Sequence, residues 1–543
     1  MKSNEIFGYL DRLNGLDAEP AVVLWLERAA FVFLTVMVLF APHSIAVTQS
    51  GWLIGMLAWV VALAVKRFSA RGPAAPAAPP DWWSRLKNRP LQLALAGFFL
   101  WAVVSSAFSY APAISLDKLR GVSLFLIFVF VCGAVRTLRA ARFLAFALVF
   151  SAMVAVVWTP VERAIGRGVT LYDFAGSAFD EIGLRDGDTI LEIDGKKVNS
   201  LDELRRRIFE HPEQPLFKAL VYRADAYTPV DVSRARIKPS ENAAEALGVR
   251  RWTRSHSWRA AGFYGHFTTF AEALQLIVSL AFGLFVALAA RHRWFRPKGE
   301  PAATDEISER KEQRLAILLA VCLGLMALAL LLTVTRASQF AFLVSALSIV
   351  FLRGNRRMIF LLVLTAVPAI VAGLIVYQSV RQQELNLGDE STRYREMMWR
   401  DGMRLWTASP RNFVLGVGMD SIQRYWPEWG LFDNGWQPKG HFHSTLVQLL
   451  VERGLPALLI WLAVLGIYAR TLWRGLRARL AGGAEPTTAS ALETGILLGC
   501  FGGMIGFFTS GLVHYNLGDG EVAMIFYILM GLGVFICRAR DRF

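Results

Sequence analysis

The sequence predicts an all-α polytopic membrane protein of about twelve transmembrane helices, with a small α/β domain inserted in one outer loop. Three observations carry that fold class. Of the 543 residues, 55% are hydrophobic and the mean hydropathy is +0.40, far from an ordinary soluble domain. The apolar residues fall in runs of about 17–25, the length that crosses a bilayer as a helix. Lys and Arg, 58 against 43 Asp and Glu, gather in every second connection between those runs, so the net charge of +15 reads as membrane topology and excludes a nucleic-acid surface.

Spans are expected near residues 22–41, 46–65, 91–109, 121–135, 142–160, 267–290, 314–333, 338–353, 358–377, 445–469, 491–512 and 521–537. The first 20 residues carry mixed charge and do not read as a cleavable signal. The basic groups at Lys66/Arg67/Arg71, Arg136/Arg139/Arg142, Arg291/Arg293/Arg296, Arg353/Arg356/Arg357 and Arg470/Arg474/Arg477/Arg479 place those loops, and both termini, in the cytoplasm. Two long loops then lie outside, at 161–266 and 378–444, and function is sought there. The expected organisation is residues 1–160 for five helices, 161–240 for the insert, 241–377 for helices six to nine, 378–444 for a large periplasmic loop with an amphipathic helix, and 445–543 for the last three helices. The Pro/Ala stretch 72–80 and the polar stretch 297–314 read as linkers. Cys132, Cys322, Cys500 and Cys537 sit in or beside apolar segments without ligand spacing, so neither a disulfide framework nor a zinc site is expected.

In the insert, GLRDGDTILEIDGKKV at 183–198 reads as a turn, a strand through Ile190, Leu191 and Ile193, and an Asp-Gly turn into a second strand. Asn199 or Ser200 then caps a helix with Leu201, Leu204 and Ile208 on one face, and further strands fit 217–222 and 230–237. This pattern resembles a PDZ domain of the bacterial periplasmic kind. The resemblance implies capture of a periplasmic peptide or protein at a sheet edge. Its carboxylate-binding loop has no counterpart in GVTLYDFAGSAFDEI, so an insert that shapes the outer face or contacts a partner is an equal reading. Asp186-Gly187-Asp188 reads as a turn and not as a metal site.

The stretch that organises the rest is GHFHSTLVQLLVERGLP at 440–456, where His441 and His443 stand at the mouth of a spanning helix. A histidine there offers a titratable base beside a lipid surface. Arg259 and His266 precede the sixth span and Glu272 lies inside it. Arg336 sits in the tight turn of TVTRASQF, and Arg393, Arg395 and Arg400 lie on an amphipathic helix that has Met398, Trp399 and Leu405 for its apolar side. Arginine forks suit a diphosphate, so several at one rim with a histidine point to an anionic lipid-linked substrate.

The order RAAGFYGH, TRAS, RYREMMW with NFVLGVG, and HFHSTLVQLLVERGLPAL resembles the O-antigen ligase and polymerase superfamily of bacterial inner-membrane glycosyltransferases. The resemblance implies an undecaprenyl-diphosphate-linked glycan as donor, lipid A-core or another glycan as acceptor, and neither metal nor cofactor. It implies donor-diphosphate binding by Arg336 and Arg395, with Arg259 and Arg393 beside them. His443 would be the base, in a His-X-His motif whose usual Asn is Ser444 here. That departure leaves His441 and His443 as alternatives; His266 and Glu272, from their place at the sixth span, are further candidates. With no candidate covalent nucleophile, transfer is expected to invert the anomeric centre. A polymerase or a protein O-oligosaccharyltransferase would need the same residues. A lipid or solute transporter is a weaker fit, because the charges gather at one rim and the two halves show no repeat.

Overall fold

Long apolar runs and the alternation of basic loops define the helices, and the computed structural model describes residues 3–17, 20–69, 89–174, 178–181, 183–223, 226–237, 240–256, 259–291, 306–353, 357, 364, 388–435, 440–480 and 487–540. The chain forms two compact units, residues 156–262 and the remainder. In chain order the elements begin with helix α1 (Ser3–Asn14), α2 (Ala21–Phe40), α3 (Ile45–Ser69), α4 (Pro90–Ala107), the short α5 (Pro112–Asp117) and α6 (Leu119–Val122), α7 (Leu126–Ala134) and α8 (Leu138–Ile165). The 156–262 unit continues with β1 (Arg167–Tyr172), α9 (Ala178–Glu181), β2 (Thr189–Ile193), β3 (Lys196–Lys197), α10 (Leu201–Ile208), β4 (Leu216–Arg223), β5 (Ala226–Ser233), α11 (Ala243–Leu247) and β6 (Arg251–Ser255). Then come α12 (Phe267–Ala289), α13 (Glu306–Leu332), α14 (Arg336–Arg353), α15 (Gly388–Thr407), α16 (Pro410–Leu415), α17 (Ser421–Tyr425), α18 (Phe432–Gly435), α19 (Thr445–Leu480), α20 (Thr488–Gly511) and α21 (Gly520–Arg540).

Among the described residues ten helices are long and apolar enough to cross a membrane: α2, α3, α4, α8, α12, α13, α14, α19, α20 and α21. The chain is a multi-pass membrane protein with a small α/β insert. The segment expected to span at 121–135 is helical but interrupted, because a 3-10 turn at Ser123–Phe125 separates α6 from the nine-residue α7. The span expected at 358–377 lies outside the described residues.

Helices α12 and α20 form the centre, and small residues let them touch. A side chain on Gly283 would lie 2.3 Å from the backbone nitrogen of Gly499 and 2.5 Å from the carbonyl of Gly495. Ser345 of α14 donates to Ser279 of α12 (2.8 Å), a polar tie between spans. At the basic ends of the helices, three buried carboxylates gather cations and hydroxyls. Glu27 pairs with Lys66 and Arg136, Glu493 with Arg142 (2.7 Å) and Arg479 (2.8 Å), and Glu312 with Arg291 (3.0 Å) and the Thr488 hydroxyl.

In the 156–262 unit an antiparallel sheet of order β5-β4-β2-β1-β6, with β3 paired to β2, packs Val169, Ile190, Phe217 and Val221 against Leu204 and Ile208 of α10. Ser200 caps α10 by accepting from Glu203 N (3.2 Å), and Glu203 answers by accepting from Asn199 N (3.0 Å). The unit runs past residue 240, where the insert was expected to end, because β6 pairs with β1. The strand expected at 230–237 begins earlier, at Ala226, and turns into a 3-10 helix at Arg234; Pro229 is tolerated since β5 is an edge strand. Asp188 follows the turn at Gly187 (φ 93°) and is occupied by Arg223 (2.8 Å) and the Arg185 N–H (2.7 Å).

Candidate functional site

The 388–444 segment folds on itself before it reaches the histidines. On α15 the apolar side expected to be available for an interface is instead packed inward: Met398 and Leu405 join Val417, Ile422, Leu431, Phe432, Phe442 and Val451 in a core of their own, with Trp399 against it. Phe442, between the two histidines, is the anchor. It is fully buried beside Phe432, its N–H donates to Gln448 Oε1 (2.8 Å), and its carbonyl accepts from Trp399 Nε1 (2.9 Å).

With residue 442 turned into that core, His441 and His443 lie together, ring centroids 4.2 Å apart. His443 has φ 48°, a conformation rare outside glycine, and its N–H donates to Nδ1 of His441 (3.3 Å). That bond makes Nδ1 of His441 an acceptor, so its proton sits on Nε2. Ser444, in place of the usual Asn, is buried at the cap of α19, where its hydroxyl accepts from Val447 N (3.4 Å).

Charge is concentrated around the pair. Burial, then His441, Arg395, His514 and His266, push the pKa of His443 down to about 3. Burial likewise lowers His441, together with His514 and His266, while Asp420 and Asp519 act the other way. Arg395, half-buried on α15, is itself lowered by burial. The structure thus brings His441, His443, Arg395 and His266 into one electrostatic group. His266 is exposed and caps α12 through Nδ1, which accepts from Thr268 N (3.2 Å). Glu272 is buried on α12 and meets Nδ1 of His514 at 3.0 Å. Arg336 is the exposed first residue of α14, following Val334 at φ 51°, and Arg393 is exposed on α15; neither is among the charges that weigh most on His443. Arg259 is half-buried and belongs to the 156–262 unit.

Several members of the site escaped the sequence reading. His514, Tyr515 and Asp519 come from the short connection between α20 and α21. Tyr515 has its ring 6.1 Å from that of His441, and its hydroxyl, raised by burial, accepts from Arg453 (3.2 Å). Asp420 holds Lys118 (2.6 Å) and Gln423 (2.9 Å), and its N–H donates to Glu452 (2.8 Å). A His-Tyr-Asn run in an eight-residue connection was the available signal.

Two glycines explain the LGVG and ERGLP motifs. Gly454 (φ 74°) breaks α19 and Gly416 (φ 72°) ends α16, so that Val417 N and Gly418 N donate to the carbonyls of Val451 and Glu452, both at 2.8 Å. This places Glu452 and Arg453 beside Asp420 and Tyr515.

The fold and site define a multi-pass membrane protein with a histidine–arginine cluster at the ends of its helices. Residues 321–462, about a quarter of the chain, match the family described as O-antigen ligase, and over them the match supports the resemblance to that superfamily of glycosyltransferase-type enzymes. The match takes in Arg336, Arg393, Arg395, His441 and His443, and ends before His514. No curated protein matches the chain.

Proposed function

We propose that this protein transfers a glycan from undecaprenyl diphosphate to lipid A-core at the periplasmic face of the bacterial inner membrane, with His443 as base. The observation that carries this reading is the juxtaposition of two half-buried histidines with Arg395 inside the O-antigen ligase domain. The acceptor hydroxyl attacks the anomeric carbon, its proton passes to the neutral imidazole, and the bond to the diphosphate oxygen breaks with its electrons leaving on phosphate. Arg395, with Arg336 and Arg393, neutralises the departing diphosphate. One displacement inverts the anomeric centre and needs no metal.

The depressed pKa of His443 keeps the imidazole unprotonated at neutral pH but makes it a weak base. A bound diphosphate places negative charge beside the cluster and raises that pKa, so the base gains strength when donor is present. The alternation of basic loops supports this orientation, with both termini in the cytoplasm and the site outside. The insert serves as an accessory PDZ-like module.

The test uses purified, folded protein with lipid-linked glycan and, separately, lipid A-core, a second lipid-linked repeat, or a pilin-like protein as acceptor. Transfer to lipid A-core alone supports the ligase; preference for either other acceptor replaces it with polymerase or protein glycosylation. His443→Ala should slow transfer by about 10²- to 10⁴-fold while donor still binds, with His441→Ala milder. Near-normal transfer by both histidine variants rules the mechanism out.

A further inference from the structure

The transfer step gives the buried Glu272–His514 pair no part. A carboxylate held inside a spanning helix is costly unless it is partnered and used. Glu272 is 2% exposed, and the contact of its Oε1 with Nδ1 of His514 (3.0 Å) crosses from α12 to the connection before α21. The same connection grips the start of α19. The His514 carbonyl accepts from both the N–H (3.0 Å) and the hydroxyl (3.1 Å) of Thr445, the first residue of that helix and two beyond His443. Asn516 completes the grip: its Oδ1 contacts the Thr445 hydroxyl (2.9 Å), and its amide donates to the Phe507 carbonyl (2.7 Å) and Ser510 hydroxyl (2.9 Å).

We propose that Glu272 and His514 are positioning residues for the histidine loop, the carboxylate fixing the imidazole so that the His514 carbonyl sets the start of α19 and with it the ring of His443. The inference rests on His443 being the base. The carboxylate contributes negative charge beside a cluster of cationic and titratable groups. The groups facing the pair are Asp519 from its own connection, which accepts from Thr269 of α12 (2.6 Å), and His441 and His443 from the histidine loop. Removing the negative charge therefore has a defined electrostatic sign: the histidines become harder to protonate.

The experiment uses the purified full-length protein with lipid-linked glycan and acceptor, and compares Glu272→Ala, Glu272→Gln, His514→Ala and His514→Asn. Asn keeps an N–H near the Nδ1 position, so His514→Asn should retain most of the transfer rate. The two alanine variants should each lose about 10- to 100-fold in kcat with donor KM nearly unchanged, and the double alanine should lose no more than the worse single. Glu272→Gln keeps the shape without the charge, and should move the acid limb of the kcat profile to lower pH. Alanine variants with kcat within about twofold of the parent, or with multiplying losses, overturn the proposal. Should the alanine variants fail to fold, an unshifted acid limb and normal kcat in Glu272→Gln overturn it on their own. His443→Ala, measured alongside, separates the two readings. Loss there with normal transfer by the pair variants overturns the positioning role alone; normal transfer by His443→Ala overturns His443 as the base and the positioning role that rests on it.

Discussion

Replacing Gly454 by alanine tests whether the break in α19 is what holds the loop against it. The new Cβ would stand 1.9 Å from the Val414 carbonyl oxygen, 2.4 Å from its carbon and 2.9 Å from Leu415 N, all backbone atoms that cannot rotate aside. At φ 74° and ψ 178°, a region essentially reserved for glycine, an L side chain also costs roughly 1–3 kcal/mol, and forced repacking adds roughly 1–3 kcal/mol, for a total of about 2–6 kcal/mol. Gly466, on the same helix, has nothing within 4 Å of a built Cβ. Gly466→Ala therefore serves as control, with a gain of under about 1 kcal/mol from helix propensity. Thermal unfolding in detergent, followed by loss of the monodisperse peak, should separate the two variants widely. Transfer should fall with Gly454→Ala as well, because the carbonyls that seat Val417 and Gly418 move with the segment that carries Asp420. Equal stability of the two alanine variants would falsify the clash argument.

Arg336→Lys keeps the charge but loses the planar fork, and should weaken donor binding or transfer measured with lipid-linked glycan; unchanged kinetics would remove Arg336 from the site. The pH profiles should split. In kcat/KM, which reports free enzyme, no acid limb from His443 is expected until pH approaches its depressed value of about 3, whereas kcat, which reports the donor complex, should show its limb at higher pH. Coincident limbs would mean that donor does not retune the base. A single cysteine at Gly187 should react with an impermeant thiol reagent from the periplasmic side and one at Ser308 should not; labelling of Ser308 in intact spheroplasts overturns the proposed orientation. Deleting residues 167–255, which removes β1 to β6 together, behind a short flexible bridge should leave measurable transfer in detergent, and complete loss in a folded deletion protein would give the insert a direct part in the site.

Hydropathy located most helices to within a few residues: 267–290 against Phe267–Ala289, and 338–353 against Arg336–Arg353. It stopped short on α19, which continues to Leu480, because Arg470, Arg474 and Arg477 are polar yet hydrogen-bond as helix all the same. The inward packing of Met398 and Leu405 was hidden for a different reason. An amphipathic stripe states that a face is buried but not what buries it. The histidine pair and Arg395 were legible as residue types in a suggestive order. Their partner His514 was not, since its contact with Glu272 joins residues 242 apart and leaves no local pattern. Strand β6, RWTRS, is short and largely exposed, so only its pairing with β1 reveals it.

The serines at the end of α4 have a consequence for how the protein is made. Ser109 bonds to Ser421, 312 residues later, and Ser105 to the carbonyls of Leu415 and Glu452. At roughly 5–20 residues per second, synthesis of the intervening chain takes about 15–60 s, during which these hydroxyls stand at the membrane without their final partners. The first helices can insert early, but their share of the site stays unfinished until α19 has emerged from the ribosome. A chain cut in the 156–262 unit and expressed as two pieces should therefore regain activity only when both halves are inserted into the same membrane, and the N-terminal half alone should be a substrate for membrane proteases.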